Sequence, residues 1–422
     1  MNPAVAAAAE AAARRSYGKL VAFLAARTRD VAAAEDALAA AFEAALRDWP
    51  MSGVPANPEA WLMTAAKRQL IDAARRRQTR DAAVPDLLLL TDLSTEDAPP
   101  RLIPDDRLLL MFACAHPAIE AGVRAPLMLQ TILGFDAAAI ASAFLVAPAA
   151  MGQRLVRAKA KIKQAGIPFR LPDHAELPER LASVLDAIYA AFTEGWSDPA
   201  GTEARRRSLA DEGIWLGHLV TVLMPDEPEA LGLLALMLHA QARRAARRDA
   251  QGGYVPLAEQ DPALWDDGLI DDAETLLDRA GRMQRLGRYQ LEAAVQSAHV
   301  IRRRTGRADW DAIAQLYDAL LALTDSPVVA INRAVAIAET RGAAAGLAEL
   351  DLVAGDPRLA DYQPYWAARA GLLARVPDVA AAQQAYQRAI GLEADPAVRR
   401  FLQARRAALT EPAPQGAGSP SA

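Results

Sequence analysis

The chain has 422 residues and a formal charge of −5, a length beyond one ordinary core, so two or three domains are expected. Its single cysteine, Cys114, excludes a disulfide framework and suits a reducing compartment. No apolar run approaches the ~18 residues that span a bilayer, and the N-terminus lacks a charged segment leading into a Leu/Val-rich stretch; a cytoplasmic protein without a membrane partner is expected. Alanine-rich, aromatic-poor sequence with long 3.6-residue periodicity predicts an all-α fold. The charge is unevenly divided. Residues 1–170 hold 21 Lys and Arg against 17 Asp and Glu, a net +4, whereas the remainder carries −9.

Residues 4–27 read as an alanine-rich helix with Tyr17, Leu20, Phe23 and Leu24 on one side. Asp30 caps a second helix, in which Leu38, Phe42, Ala45, Leu46 and Trp49 form one apolar stripe. Pro50 to Pro58 is expected to be a loop, since its Pro, Gly and Asn residues continue neither helix. A third helix begins at Pro58. Its Leu62, Ala66, Leu70 and Ala73 face inward, and Thr64, Arg68, Asp72 and Arg75 face outward beside Lys67, Arg76 and Arg77. Residues 81–106 break the pattern: seven acids against Arg101, with prolines at 85, 99, 100 and 104, predict an extended acidic linker. It suits either a strand placed in a channel built for nucleic acid or a spacer that stays acidic to avoid the basic domains.

Leu108, Leu109, Met111 and Phe112 begin an apolar helix ending at His116-Pro117, and Pro126, Leu127, Leu129, Ile132 and Leu133 build the next. His116 has no metal-ligating neighbours and reads as a helix-end residue. From Leu133 to Lys163 the chain reads as a helix-turn-helix. Gly134 ends one helix in the left-handed conformation, Asp136 caps the next, and Pro148 opens a third. In that last helix Met151, Leu155, Ala158 and Ile162 form a stripe that docks on Ile140 and Phe144. Its other face, with Gln153, Arg154, Arg157, Lys159, Lys161 and Lys163, contains no acid. Such a face calls for an outside anion. A helix of about 10–12 Å diameter fits the DNA major groove, where Arg and Gln reach base edges and Lys neutralises phosphate; a merely solvated basic helix is the alternative.

After Gly166-Ile167-Pro168, helices are expected near Pro178–Thr193, Arg205–Leu223, Pro228–Arg248, Ile270–Arg285 and Leu291–Arg303. From Trp310 a repeat emerges. Tyr317 and Tyr386, and Pro327 and Pro396, are each 69 residues apart, close to twice the ~34-residue tetratricopeptide period. The intervening copy is irregular, with Pro357 off the period. Stacked helix pairs offer a concave surface for a protein partner or an intramolecular contact. Thr410 to Ala422 has the composition of a disordered tail.

The segments AAAEDALAAAFEAALRDWP and PANPEAWLMTAAKRQLIDAARRR resemble the promoter-melting domain of extracytoplasmic-function RNA polymerase sigma factors. QRLVRAKAKI is similar to the −35-reading segment of that family, and LPERLASVLDAIYAAFTEGW, LLALMLHAQARRAAR and EQDPALWDDGLI resemble its branch with a C-terminal repeat extension. The resemblance implies an all-α protein with a region 2-like domain over 1–80, a linker over 81–106, a region 4-like helix-turn-helix domain over 107–170, a repeat-like helical domain over 171–409 and a tail over 410–422. It implies core RNA polymerase and promoter DNA as partners. Carried over by position, Glu35, Asp36, Leu38 and Phe42 fall on the polymerase-binding helix. Asn57, Trp61, Thr64, Lys67, Arg68 and Gln69 fall on the surface for the melted −10 strand, although Trp61 reads equally well as a core aromatic. Gln153, Arg154, Arg157, Lys159, Lys161 and Lys163 fall on the −35 surface. Ala39-Ala40 replaces a Gln-acid pair common in the family, and Pro262 stands where an arginine is usual.

No phosphate loop, dinucleotide fingerprint, zinc-protease motif or Cys/His cluster occurs, so neither enzyme activity nor a cofactor or metal is expected. The reading that follows is a transcription initiation factor. A one-component helix-turn-helix regulator with a helical-repeat sensor is the alternative, and the three-helix unit at 1–80 argues against it, because such a regulator needs no single-strand surface.

Overall fold

The structure is a computed structural model that describes residues 3–78, 106–143, 146–173, 175–196, 204–376 and 378–409. Among these every regular element is helical, and the one β-type contact is an isolated bridge between Arg248 and Tyr254. Apart from Asp106 the acidic linker lies outside the described residues, as do Phe144 and the tail. The chain divides into two compact units, 1–220 and 221–422.

The first unit is organised around α1 (Pro3–Thr28). Leu20, Val21, Ala22, Phe23, Leu24 and Ala25 are all wholly buried, not only those on one side. The reason is that α1 is covered twice. On one side lie α2 (Val31–Ser52) and α3 (Pro58–Gln78); on the other lie α4 (Arg107–Cys114) and α5 (Ala121–Leu133). Burying each large apolar side chain contributes about 1.5–3 kcal/mol, so this one segment ties together parts of the sequence separated by the linker. Small residues allow the approach. At Gly18 an added Cβ would overlap the carbonyl oxygen of Ile132 in α5.

Asp30 caps α2 as expected, its Oδ1 accepting from Ala33 N at 3.0 Å. The helix does not stop at Pro50. It runs to Ser52 and ends at Gly53, φ 82°, because a proline in the last turn forgoes only one amide bond. The loop is therefore shorter than expected. Likewise α5 starts at Ala121, five residues before Pro126, which the first turns accommodate.

Past the expected boundary at 170, α8 (Leu177–Trp196) and α9 (Ala204–Leu223) continue the first unit. Two arginines anchor α8. Arg180, 2 % exposed, donates from Nε and Nη2 to the Phe112 carbonyl at 3.0 and 2.5 Å, and Arg124 joins the Ile119 carbonyl (3.0 Å) to Glu179 (2.8 Å). From α9, Glu212 pairs with Arg107, whose guanidinium also lies 4.1 Å from the Trp215 ring.

The second unit is a succession of helical hairpins: α10 (Pro228–Ala242), α11 (Asp267–Arg282), α12 (Arg288–Val300), α13 (Trp310–Thr324), α14 (Pro327–Arg341), α15 (Ala343–Leu352), α16 (Gln363–Leu373), α17 (Val379–Leu392) and α18 (Pro396–Ala408). Pro327 and Pro396 both open helices, α14 and α18, and Pro357 begins a short 3-10 turn in the irregular copy between them. Helix α10 ends at Ala242, short of the expected Arg248, and a 3-10 turn over Ala245–Arg247 follows. The turn seats Ala246 with Trp265, Ile270 and Val300 in a small core. The helix expected to reach Arg303 likewise ends at Val300, before a separate turn at Arg302–Thr305. Gly287 gives α12 no side-chain cap, and Glu229 of α10 supplies one, accepting from Tyr289 N at 3.0 Å and Gln290 N at 3.2 Å.

Candidate nucleic-acid and polymerase interface

Two helices lead to the basic face. Gly134 adopts the left-handed conformation (φ 70°), with its amide and that of Phe135 returning to the Gln130 and Leu129 carbonyls, and Asp136 Oδ1 accepts from Ala138 N at 2.9 Å. Helix α6 (Ala137–Ala143) then turns into α7 (Pro148–Gln164), with Pro148 in its first turn. Met151, Leu155, Ala158 and Ile162 are buried, as is Ile140. That fixes the rotation of α7 and sends its polar residues outward.

Gln153, Arg157 and Lys161 are exposed, and Arg154 is half-buried. Arg154, Arg157 and Lys161 line a cleft of about 250 Å³ against Ile119, Glu120 and Val123, at the start of α5. The other two lysines already have partners. Lys159 Nζ is 2.8 Å from Glu35 Oε2, and Lys163 Nζ is 2.7 Å from Asp30 Oδ2, both acids on or capping α2. The anion that the sequence demanded at these two positions is thus internal.

Glu35 is engaged by Lys159, Asp36 is exposed and Phe42 is half-buried; Leu38 is wholly buried, a core residue of α2 rather than a surface contact. On α3, Arg68 and Gln69 are exposed. Asn57 Oδ1 caps the helix at Ala60 N (3.1 Å), and Thr64 Oγ1 donates to the Ala60 carbonyl at 2.9 Å. Trp61 packs edge-on against Trp49 with centroids 5.5 Å apart. Lys67 is 8 % exposed, its ammonium 5.6 Å from the Phe23 ring, so it does not join the open cationic edge with Arg68. Sequence reasoning overlooked Met51, which is 91 % exposed beside Val54 at 41 %. Met51 stands in the last turn of α2 and Val54 in the short loop that follows.

Two buried groups sit behind this arrangement. Tyr17, whose ring would contact a Cβ at Gly134, has its phenol pKa raised by burial and by the charges of Glu35 and Asp36. Burial likewise pushes the Cys114 thiol up to about 12, with Sγ 3.8 Å from Thr131 Oγ1. Both stay neutral. His116 Nδ1 accepts from Ala118 N at 3.1 Å, a helix-end role. Among the described residues no group of three or more His, Cys, Asp and Glu is placed to hold a metal ion, and no helix is long and apolar enough to cross a membrane.

Residues 13–80, the span of most of α1 with α2 and α3, match the model for sigma-70 region 2. Residues 180–281 match a family of unknown function, DUF6596. An uncharacterized protein of Rhizobium meliloti (strain 1021) is 41 % identical over 370 residues, covering 86 % of this chain and 87 % of that protein. No solved structure matches the chain. The chain is thus all-α with a sigma-70 region 2 domain at its N-terminus, a domain of a family of non-enzymatic transcription factors, and that domain supports a role in transcription initiation. The chain belongs to the family of the R. meliloti protein. Sigma-70 region 2 in general binds core RNA polymerase and promoter DNA.

Proposed function

We propose that the chain is an initiation factor of the extracytoplasmic-function type, which binds core RNA polymerase through the exposed side of α2, reads a −35 element with α7 and captures the melted −10 strand on α3 and the loop before it. The reading rests above all on α7. A helix whose apolar stripe is fully buried presents Gln153, Arg154, Arg157 and Lys161 in the same chain as a region 2 domain. Gln and Arg are the side chains that read base edges in the major groove, and Lys supplies the sequence-independent phosphate attraction. On α3, Arg68 and Gln69 with Met51 and Val54 supply cationic and stacking groups for a single strand. The hairpins after residue 221 serve regulation or partner binding as tetratricopeptide-like repeats.

Lys159 and Lys163 add a condition. DNA phosphates compete with Glu35 and Asp30 for the same ammonium groups, so engagement of a promoter by the whole of α7 separates it from α2. The test is co-elution of the full chain with core polymerase, and opening of a labelled fork-junction promoter library. Binding together with opening at a preferred −35/−10 pair is expected. A chain that shifts duplex DNA alone and binds no polymerase would instead be the one-component regulator.

A further inference from the structure

In the second unit the first half of α11, the end of α12 and the start of α13 surround a cavity of about 530 Å³, the size of a pocket for a small molecule. Its floor is apolar. Ile270 and Val300 are buried there, and Ala294, Ala298 and Ala312 bring no polar side chain. Small residues on α12 explain the space. Ala294, Ser297 and Ala298 recur at i, i+3 and i+4, so one face of the helix turns short side chains towards the cavity, where leucines would have closed it.

Three carboxylates and one guanidinium line the same walls: Asp271 and Glu274 on α11, Asp309 ahead of α13, and Arg303 between α12 and α13. Arg303 is drawn aside. Its Nη1 pairs with Asp267, which is not a lining residue, and its Nη2 stays 3.7 Å from Asp271, too far for a hydrogen bond. Asp309 Oδ1 caps α13 at Ala312 N (3.1 Å) and Glu274 Oε2 accepts from Ser297 Oγ (2.9 Å), so each of these acids is engaged through one oxygen. Acid thus outweighs base around the cavity. The carboxylates do not converge on a point, for among the described residues no group of three or more His, Cys, Asp and Glu is placed to hold a metal ion. Negative charge spread over an apolar floor complements a chain with separated positive charges better than it does a point cation.

Behind Glu274 lies a polar group without a partner. His239 of α10 is wholly buried, neither ring nitrogen makes a hydrogen bond, and Nε2 is 3.5 Å from Glu274 Oε1. Burial first, and then the charges of Arg243 and Arg303, lower its pKa to about 4, so the ring is neutral and has one N–H to donate. Buried donors are nearly always paired, and the acceptor nearest to hand is the carboxylate on the cavity wall. A cation that fixes Glu274 from the cavity side, with Oε1 turned to Nε2, completes that pair. We propose that the cavity binds an aliphatic polyamine, its ammonium groups held by Glu274, Asp271 and Asp309 and its methylene chain lying on Ile270, Ala298 and Val300.

The test is calorimetric titration of the full chain, free of DNA, with spermidine at about 0.15 M salt, where diffuse attraction to an acidic surface is largely screened. Saturable one-site binding is expected, weakened about tenfold or more in D271N/E274Q. It should be retained in D272N/D278N, which removes the same charge from exposed positions of the same helix. Triethylene glycol, a neutral chain of similar length, should not bind. Absence of saturable spermidine binding, equal weakening in the two variants, or equal binding of the glycol would overturn the proposal. Should D271N/E274Q fail to fold, NMR of the labelled histidine rings in the unaltered chain decides: saturating spermidine should move the His239 resonances and leave those of His116 in place, and no movement at His239 would refute the site.

Discussion

Lys159 Nζ and Glu35 Oε2 stand 2.8 Å apart, joining the centre of the basic helix α7 to the helix that begins just after Asp30. Their side chains are 15 % and 14 % exposed, so this pair is less screened than a typical surface pair. Together with Lys163 and Asp30 it makes an electrostatic clasp between α7 and α2.

Releasing the clasp should raise affinity for duplex DNA. In the double variant Asp30→Asn and Glu35→Gln the asparagine still caps α2, since its side-chain oxygen accepts as well as that of Asp30, while both lysines are freed. Binding to a −35 duplex, read by fluorescence anisotropy at low salt, is expected to tighten about threefold to tenfold. Unchanged affinity would show that the clasp does not compete with DNA.

Leu38 and Leu46 lie on the same helix with opposite fates. Leu38→Ala should destabilise the chain by about 2–5 kcal/mol, the cost of a cavity in a well-packed interior, whereas Leu46, 39 % exposed, should cost no more than about 0.5 kcal/mol when replaced by alanine. Urea unfolding checks both. A small effect at Leu38 would return it to the surface.

Two glycines should respond with opposite signs. Gly18→Ala forces a methyl group into the Ile132 carbonyl and should cost about 1–3 kcal/mol while loosening α1 from α5. At Gly152 nothing lies within 4 Å of an added Cβ, so Gly152→Ala should stabilise α7 by about 0.5–1 kcal/mol. Thermal unfolding distinguishes them. Any loss of duplex affinity in Gly152→Ala would then report close approach of the backbone to DNA.

Acid should weaken the second unit before its carboxylates titrate. His239 and His299 fall from 6.5 to about 4 on folding. Below pH 6.5 the unfolded chain takes up protons that the folded chain refuses, so stability drops as pH falls towards 4 and levels off beneath it. Between pH 7 and 5 each histidine should account for about 2 kcal/mol. His299→Gln should flatten the pH dependence of unfolding by about that amount, and an unchanged slope would contradict it.

Local chemistry was legible in the sequence. The stripe Met151, Leu155, Ala158 and Ile162, the left-handed Gly134 and the caps at Asp30 and Asp136 all follow from helical spacing and backbone preference. What the sequence hid was contact between distant segments. The run Leu20 to Ala25 mixes small and large apolar residues, and only its double coverage explains burial on every side. Arg180 looks like an ordinary surface residue until the Phe112 carbonyl appears beneath it. Lys159 and Lys163 look like pure phosphate seekers because Glu35 and Asp30 lie more than a hundred residues earlier. Pro50 misled for a different reason: its cost depends on how many helical bonds lie beyond it, and here few do.

The ion pair between Arg248 and Asp395, with Tyr254 on Phe401, joins the start of the second unit to its last helix. An open stack of helical pairs is quasi-one-dimensional and can melt inward from either terminus. A stack closed on itself has no such terminus, so its hairpins are committed to one another and the unit should lose its amide protection against hydrogen exchange all at once, not in stages.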